Sequence, residues 1–137
     1  QPLPGVQSAH HRLHRAMTDF RAELERLRDA IPGALATCIM GVDGIPIDAV
    51  QQEGLDTDPA GLLVEYSALV EQIRRSAQML AAGDLEEVAV KTERVTCLLR
   101  TINHEFFLAA VVRPEASVGR TRFLLRLRAP ALGPALS

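Results

Sequence analysis

The chain contains no tryptophan, one tyrosine and four phenylalanines, so aromatic rings account for only 4% of its residues. Its core must be aliphatic, and base stacking on aromatic platforms, a usual way of holding single-stranded nucleic acid, is poorly provided for. There are only two cysteines, Cys38 and Cys97, 59 residues apart and each inside an apolar run. That is neither a disulfide framework nor a metal-ligand spacing, and it reads as two buried free thiols in a reducing compartment. No apolar stretch approaches the roughly 20 residues needed to cross a bilayer, so no membrane insertion is expected. No signal peptide is visible, although the chain begins at Gln1 instead of Met, and a cytoplasmic location is the default. The net charge is only −2, which argues against bulk nucleic-acid affinity.

The motifs of the common chemistries are missing as well. A P-loop needs a glycine-rich turn followed by Lys-Ser/Thr, and none occurs; nor does a dinucleotide fingerprint, a Cys-x-x-Cys or a His-Glu-x-x-His. Nucleotide hydrolysis by the chain itself, a cofactor and a metal are therefore not expected. His10 and His14 lie four apart and could share a helix face, but no carboxylate or cysteine completes a ligand set around them and His11. His104 falls in an expected turn. Asp43 and Asp48 could be imagined as paired carboxylates, but Asp43 is accounted for by turn chemistry. Ser67, Ser76 and Ser117 have no elbow sequence that would activate a nucleophile.

What the chain does have is a clear order of hydrophobic patterns. Its 137 residues, 47% hydrophobic and 23% charged, suit one soluble domain. Residues 1–12 read as a flexible tail, 13–130 as the domain and 131–137 as a second tail. Leu13, Met17, Phe20, Leu24, Leu27 and Ile31 form one stripe of an amphipathic helix that Pro32-Gly33 ends. Ala34 to Met40 is a continuous apolar run, a strand buried on both faces. Asp43-Gly44 signals a hairpin, and Ile45 to Val50 alternates as its partner, placed at a sheet edge by Pro46.

Asp58-Pro59 opens a long helix expected to run to about Ala82, with Gly83 just past its end. Leu62, Tyr66, Leu69, Ile73, Ala77 and Leu80 are its expected core stripe. Val64, Ala68, Gln72, Ser76 and Met79 form a second face that one sheet cannot also cover, a candidate for contact with another subunit. Three more strands follow: Leu85 to Thr92, Val95 to Ile102 and Glu105 to Val112, the last two joined at Asn103-His104. A closing helix is expected from about Ala116 to Ala129-Pro130 with Phe123, Leu124 and Leu127 on its core side, although strand alternation also fits part of it. Pro130 and Pro134 should end regular structure. The fold class is α/β (α+β), a five-stranded antiparallel sheet flanked by helices in the order α-β-β-α-β-β-β-α.

Charge is unevenly spread. Residues 53–93 carry nine acids and three bases, whereas 94–137 carry seven arginines and two acids. This points either to complementary surfaces, between subunits or toward a partner, or to solvated faces that happen to segregate. The arginines near the C-terminus could bind phosphates, but a basic amphipathic segment more often covers the core while snorkelling its charges. Nothing marks any of them as an arginine finger.

The hairpin Ile39-Met40-Gly41-Val42-Asp43-Gly44-Ile45-Pro46 after a first helix, the long second helix and the Val88 to Val112 meander resemble a Roadblock domain, of the dynein light-chain Roadblock and MglB family. The likeness covers about residues 18–130. Val64-Glu65-Tyr66-Ser67 and Gly119-Arg120-Thr121-Arg122-Phe123-Leu124-Leu125-Arg126 are more similar to the bacterial MglC branch. The resemblance implies a homodimer in which second helices pair across a two-fold axis and third strands join two sheets. It implies work beside a Ras-like GTPase of the MglA type or an MglB-like Roadblock protein in polarity and motility control, with recruitment to cell poles. An MglC-like protein would be a non-enzymatic adaptor; an MglB-like one would activate the GTPase. Val64, Ala68, Gln72, Ser76, Met79, Val88 and Val90 are then the expected dimer interface. Glu65, Glu71, Arg75, Arg120 and Arg122 are candidates for binding a partner.

Overall fold

A computed structural model describes residues 20–136. Helix α1 occupies residues 20–30 of this range, followed by β1 (Ala34–Gly41) and β2 (Pro46–Gln51). Then come α2 (Pro59–Met79), β3 (Glu87–Lys91), β4 (Thr96–Thr101), β5 (Phe106–Val112) and α3 (Val118–Leu132), with a 3-10 turn at Pro134–Leu136. The strands form one antiparallel sheet in the order β2-β1-β5-β4-β3. The apolar runs β1, β4 and β5 are its centre, and the Pro46 strand lies at an edge, where a missing N–H costs no ladder bond. The expected element order is the observed one.

Helices cover both faces of the sheet. On one side Phe20, Leu24, Leu27 and Ile31 of α1 and Leu125, Ala129 and Leu132 of α3 pack on Ile39, Leu98, Leu108, Ala110 and Val112. On the other, Leu63 and Val70 of α2 pack on Ala36, Cys38, Met40, Cys97, Leu99, Phe107, Ala109 and Val111. Alternate residues of β1, β4 and β5 thus enter different cores, as the two-residue period of a strand requires. Thr37, buried in β1, donates its hydroxyl to the Leu24 carbonyl at 2.7 Å, so the polar atom is satisfied and β1 is tied to α1.

The β1–β2 and β4–β5 turns are built by a side-chain carboxylate and a side-chain carboxamide. At the β1–β2 hairpin the Ile45 N–H donates to Asp43 Oδ1 at 3.0 Å and the Gly44 N–H to the Gly41 carbonyl at 3.0 Å. Asn103 Oδ1 accepts from Glu105 and Phe106 N–H groups at 2.9 and 3.0 Å, closing the β4–β5 turn. Gly44 sits at φ +87°, and a Cβ there would lie 2.8 Å from Ser67 Oγ on α2. The hairpin therefore rests directly on the long helix.

That close approach explains where the sequence reading of α2 fails. Asp58 caps the helix as expected, accepting from the Gly61 N–H at 3.1 Å, with Pro59 in the first turn. The face turned to the sheet, however, is Pro59, Leu63, Ser67 and Val70, with Leu62 and Tyr66 only half-buried beside it. Leu69, Ile73 and Leu80, expected in the core, are exposed. Ser67 is small enough to let the hairpin in, and its hydroxyl, donated to the Val64 carbonyl at 2.6 Å, can be buried without loss. The end of the helix is also corrected. It stops at Met79 with Leu80 as its cap, so the residue just past the end is Ala81, at φ +59°, and Gly83, at φ +93°, lies two residues further on in an exposed stretch.

The last segment is helical, capped by Ser117, which accepts from the Arg120 N–H at 3.1 Å. Its buried residues are Thr121, Leu125, Ala129 and Leu132, so Phe123 and Leu127 face outward instead of inward. Pro130 does not end it. The proline forfeits one helical hydrogen bond, but Leu132, buried in the core, holds the last turn, and Pro134 begins the 3-10 turn.

Both cysteines are free and buried in the α2-side core. Burial pushes the Cys38 thiol up to about 12, with the Asp48 carboxylate adding to it, and burial pushes Cys97 up to about 11. Neither forms thiolate, the reactive species, near neutral pH. With the folded protein at pH 8 a chromogenic disulfide reagent should titrate neither thiol, and both should react once denaturant is added. Reaction of native protein at the rate of a free cysteine would contradict the packing. Gly44→Ala should lower unfolding stability in urea by about 1–3 kcal/mol, from positive φ and the Ser67 contact together. An unchanged midpoint would mean that the hairpin does not bear on α2.

Candidate functional site

No layer of the chain covers the outer face of α2 among the described residues, and that face is strongly apolar. Leu69 is 57% exposed, Ile73 45%, Met79 80% and Leu80 79%. Scattered exposed leucines are ordinary, but a continuous strip on one helix is not. Leu69, Gln72, Ile73, Ser76, Ala77, Leu80 and Ala82 line a shallow groove of about 450 Å³ along it. Residues 69, 73, 76 and 80 follow the three- and four-residue steps of one helix face, so the strip is a property of the sequence period.

The structure brings some expected interface residues together and separates others. Gln72 and Ser76 line this groove, and Met79 is exposed next to Leu80. Val64 and Ala68 are exposed further round the helix. Val88 and Val90 lie on β3, the free edge of the sheet, half-buried against the α2-side core. Sequence reasoning missed Leu69, Ile73 and Leu80 as surface residues. The two apolar stripes of α2 overlap, and hydrophobicity alone favours burying the one with larger side chains.

The candidate partner residues fall into three situations. Glu65 is exposed and makes no ion pair among the described residues. Glu71 is engaged within its own helix: Arg74 Nε donates to Oε2 at 2.8 Å and Nη2 to Oε1 at 2.6 Å, while Arg75 Nε donates to Oε1 at 3.1 Å. Arg122 of α3 donates through Nε to both oxygens of Glu87 on β3, at 3.0 and 2.8 Å. Arg120 is exposed without such a partner among the described residues.

Residues weighed for chemistry are occupied by structural roles. Asp43 holds the hairpin, and Asp48 accepts from the Ala49 N–H at 2.8 Å and from Arg21 at 3.0 Å. Ser76 donates to the Gln72 carbonyl and Ser117 caps α3. No group of three or more His, Cys, Asp or Glu among the described residues is placed to hold a metal, and His10, His11 and His14 lie outside that range. No described helix is long and apolar enough to cross a membrane.

The Arg74 hydrogen bonds are the largest cause holding the Glu71 carboxyl below its ordinary value of 4.5; partial burial opposes them and Arg75 adds to them. Because the folded value is the lower one, the stabilisation is complete above the unfolded value and is lost as pH falls through the folded value. Glu71→Gln should therefore cost about 0.5 kcal/mol at pH 7, the size of a helix-surface pair, and nothing well below pH 4. Melting curves of both proteins at the two pH values check this; a gap that persists or widens in acid would refute the fork.

A family model of the Roadblock/LC7 domain matches residues 21–112. MglC from Myxococcus xanthus is 34% identical, with 84% of this chain and 97% of that chain covered at a TM-score of 0.62. MglB solved in a tetrameric arrangement is 17% identical, with coverage of 90% and 89% and a TM-score of 0.74. Myxococcus xanthus MglB is 14% identical, with coverage of 88% and 89% and a TM-score of 0.75. At those identities the two MglB structures speak for the fold alone. Comparison with curated proteins gave no match. A family model spanning most of the chain, a relative at 34% identity and the observed strand and helix order agree: the chain belongs to the Roadblock/LC7 family and is MglC-like.

Proposed function

We propose that the protein is a non-enzymatic, homodimeric adaptor of an MglA/MglB-type system, in which a Ras-like GTPase controls cell polarity and motility. The observation that carries this reading is the bare apolar strip on α2, Leu69, Ile73 and Leu80 with Gln72 and Ser76 between them. Two copies facing each other through α2 would bury that strip by an isologous contact, the same patch on both sides. β3 is a free edge of the sheet with Val88 and Val90 on the α2 side, and pairing it with its copy would satisfy the unpaired N–H and C=O groups of an edge strand. Val64, Ala68 and Met79 on α2 and Val88 and Val90 on β3 are the further contacts in this arrangement.

The adaptor role is supported by the 34% identity to MglC. A pair of grooved helices and a charged rim (Glu65, Glu71, Arg75) would present a surface to an MglB-like Roadblock protein or to the GTPase. MglB has been solved in a tetrameric arrangement, an instance of self-association in this fold.

Light scattering at tens of micromolar should give twice the chain mass for the protein and a single mass for Ile73→Arg, which would place an uncompensated charge in the contact. In parallel, excess of the protein should leave GTP hydrolysis by an MglA-like GTPase unchanged while the GTPase or an MglB-like protein co-elutes with it. Acceleration of hydrolysis would make it an activator of the MglB kind. A monomeric wild type would remove the proposed interface altogether.

A further inference from the structure

Helix α3 carries a second outward face, of different chemistry, on the opposite side of the sheet from α2. The helix has four arginines and no acidic residue. Two of them are neutralised within the chain. Arg122 is bound by Glu87 of β3, and Arg128 Nε lies 3.5 Å from Glu23 of α1. These pairs clamp the two flanks of α3 and leave Arg120 and Arg126, both exposed and without an ion pair among the described residues. Between them stand Phe123, 53% exposed, and Leu127, 55% exposed. Since Thr121, Leu125, Ala129 and Leu132 face the sheet, the helical period points Phe123 and Leu127 directly away from it. Phe123 is one of only four phenylalanines in the chain, and an exposed ring flanked by guanidinium groups is the composition of an interface hot spot.

We propose that the outward face of α3, with Phe123 and Leu127 between Arg120 and Arg126, docks an acidic amphipathic helix of another protein. Charge complementarity sets the sign of the partner, because unneutralised positive charge beside apolar surface is matched by carboxylates around apolar side chains. The helical form follows from the ridge itself: an i, i+4 apolar pair on the face of α3 turned away from the sheet is buried by a second helix laid along it, whereas a strand finds no backbone edge on that face to join. The chain's own N-terminal segment does not fit, since residues 1–19 hold Arg12 and Arg15 against Asp19 alone. A lipid surface fits less well, because two guanidiniums supply only about 2 kcal/mol of attraction to an anionic leaflet and the chain as a whole carries −2. The surface does not depend on the α2 dimer, and docking would leave α2 free.

The test is a phage-displayed library of random peptides about 15 residues long, enough for four helical turns. It is panned on the protein with counter-selection on Arg120→Glu/Arg126→Glu. Acidic sequences with apolar residues three or four apart should be enriched. A synthetic peptide of that kind should lose affinity about tenfold or more with the charge-reversed protein and with Phe123→Ser. Its Glu-to-Lys version should recover affinity for the charge-reversed protein. Circular dichroism and the α2-dependent mass should be the same for all variants, since every altered residue is exposed. The proposal is overturned if no peptide is enriched, if the enriched ones are not acidic, or if Phe123→Ser binds them as well as the parent. Binding to phosphatidylglycerol vesicles that requires Arg120 and Arg126 would overturn it in favour of a membrane. Assembly beyond the dimer that requires Phe123 would overturn it in favour of a second copy.

Discussion

The contact between the β1–β2 hairpin and α2 decides what this protein shows to the outside. Gly44 brings the hairpin backbone against Ser67, so closely that a Cβ at position 44 would lie 2.8 Å from the serine oxygen. A helix has one rotation about its axis at which a given residue faces a given point, so seating Ser67 under the hairpin fixes the whole of α2. Leu63 and Val70 then meet the sheet, and Leu69, Ile73 and Leu80 are carried round to the open side. The apolar strip is thus the other end of a packing constraint on the inner face.

Element order and the strands were legible because the signals there are local and unambiguous. Ala34–Gly41 and Phe106–Val112 are apolar at nearly every position, which only a strand buried on both faces tolerates at that length. Asp43-Gly44 and Asn103 announce turns through hydrogen bonds they make to their own neighbours. The helix faces were not legible to the same degree. In α2 two apolar arcs overlap, and the choice between them rests on Gly44, distant in sequence. In α3 the core side includes Thr121, a polar residue that can be buried only because its hydroxyl reaches the Ser117 carbonyl at 2.8 Å. Larger residues such as Phe123 outbid it in any reading by hydrophobicity. Pro130 misled for a similar reason: its local cost is real, and a tertiary contact through Leu132 overrides it.

The charge asymmetry along the chain resolves into two parts. Some of it is internal bookkeeping: Glu87 from the acidic half binds Arg122 from the basic half, and Glu23 of α1 approaches Arg128. Those pairs lie on partly exposed side chains and add little stability each, but they fix the orientation of α3 over the sheet. Arg120 and Arg126 remain on α3, whereas on α2 the arginines Arg74 and Arg75 are both drawn to Glu71. The outer faces of the two helices therefore differ: α2 is apolar with both of its arginines neutralised by Glu71, whereas α3 is apolar with two arginines left over. A surface of the first kind suits a copy of itself, since like meets like without a repulsion; one of the second kind does not, because copies would face arginine to arginine.

The two edges of the sheet sharpen the same distinction. At β2, Pro46 removes a donor, the register slips between Ile39 and Met40, and Arg21 reaches across from α1 to Asp48, so that edge is blunted in the ways that keep strands from adding to one another. At β3 the five residues carry no proline and pair in unbroken register with β4, leaving the opposite side of the strand open. Its half-buried Val88 and Val90 belong to the same side of the sheet as α2. One edge is blunted and the other left open, with its Val88 and Val90 on the side of the sheet that α2 covers, so a partner that uses both the edge and α2 would have to approach on that side. In the proposed dimer that approach is the two-fold axis, and it places both α3 faces on the far side of the joined sheets, where each is free to take a different partner.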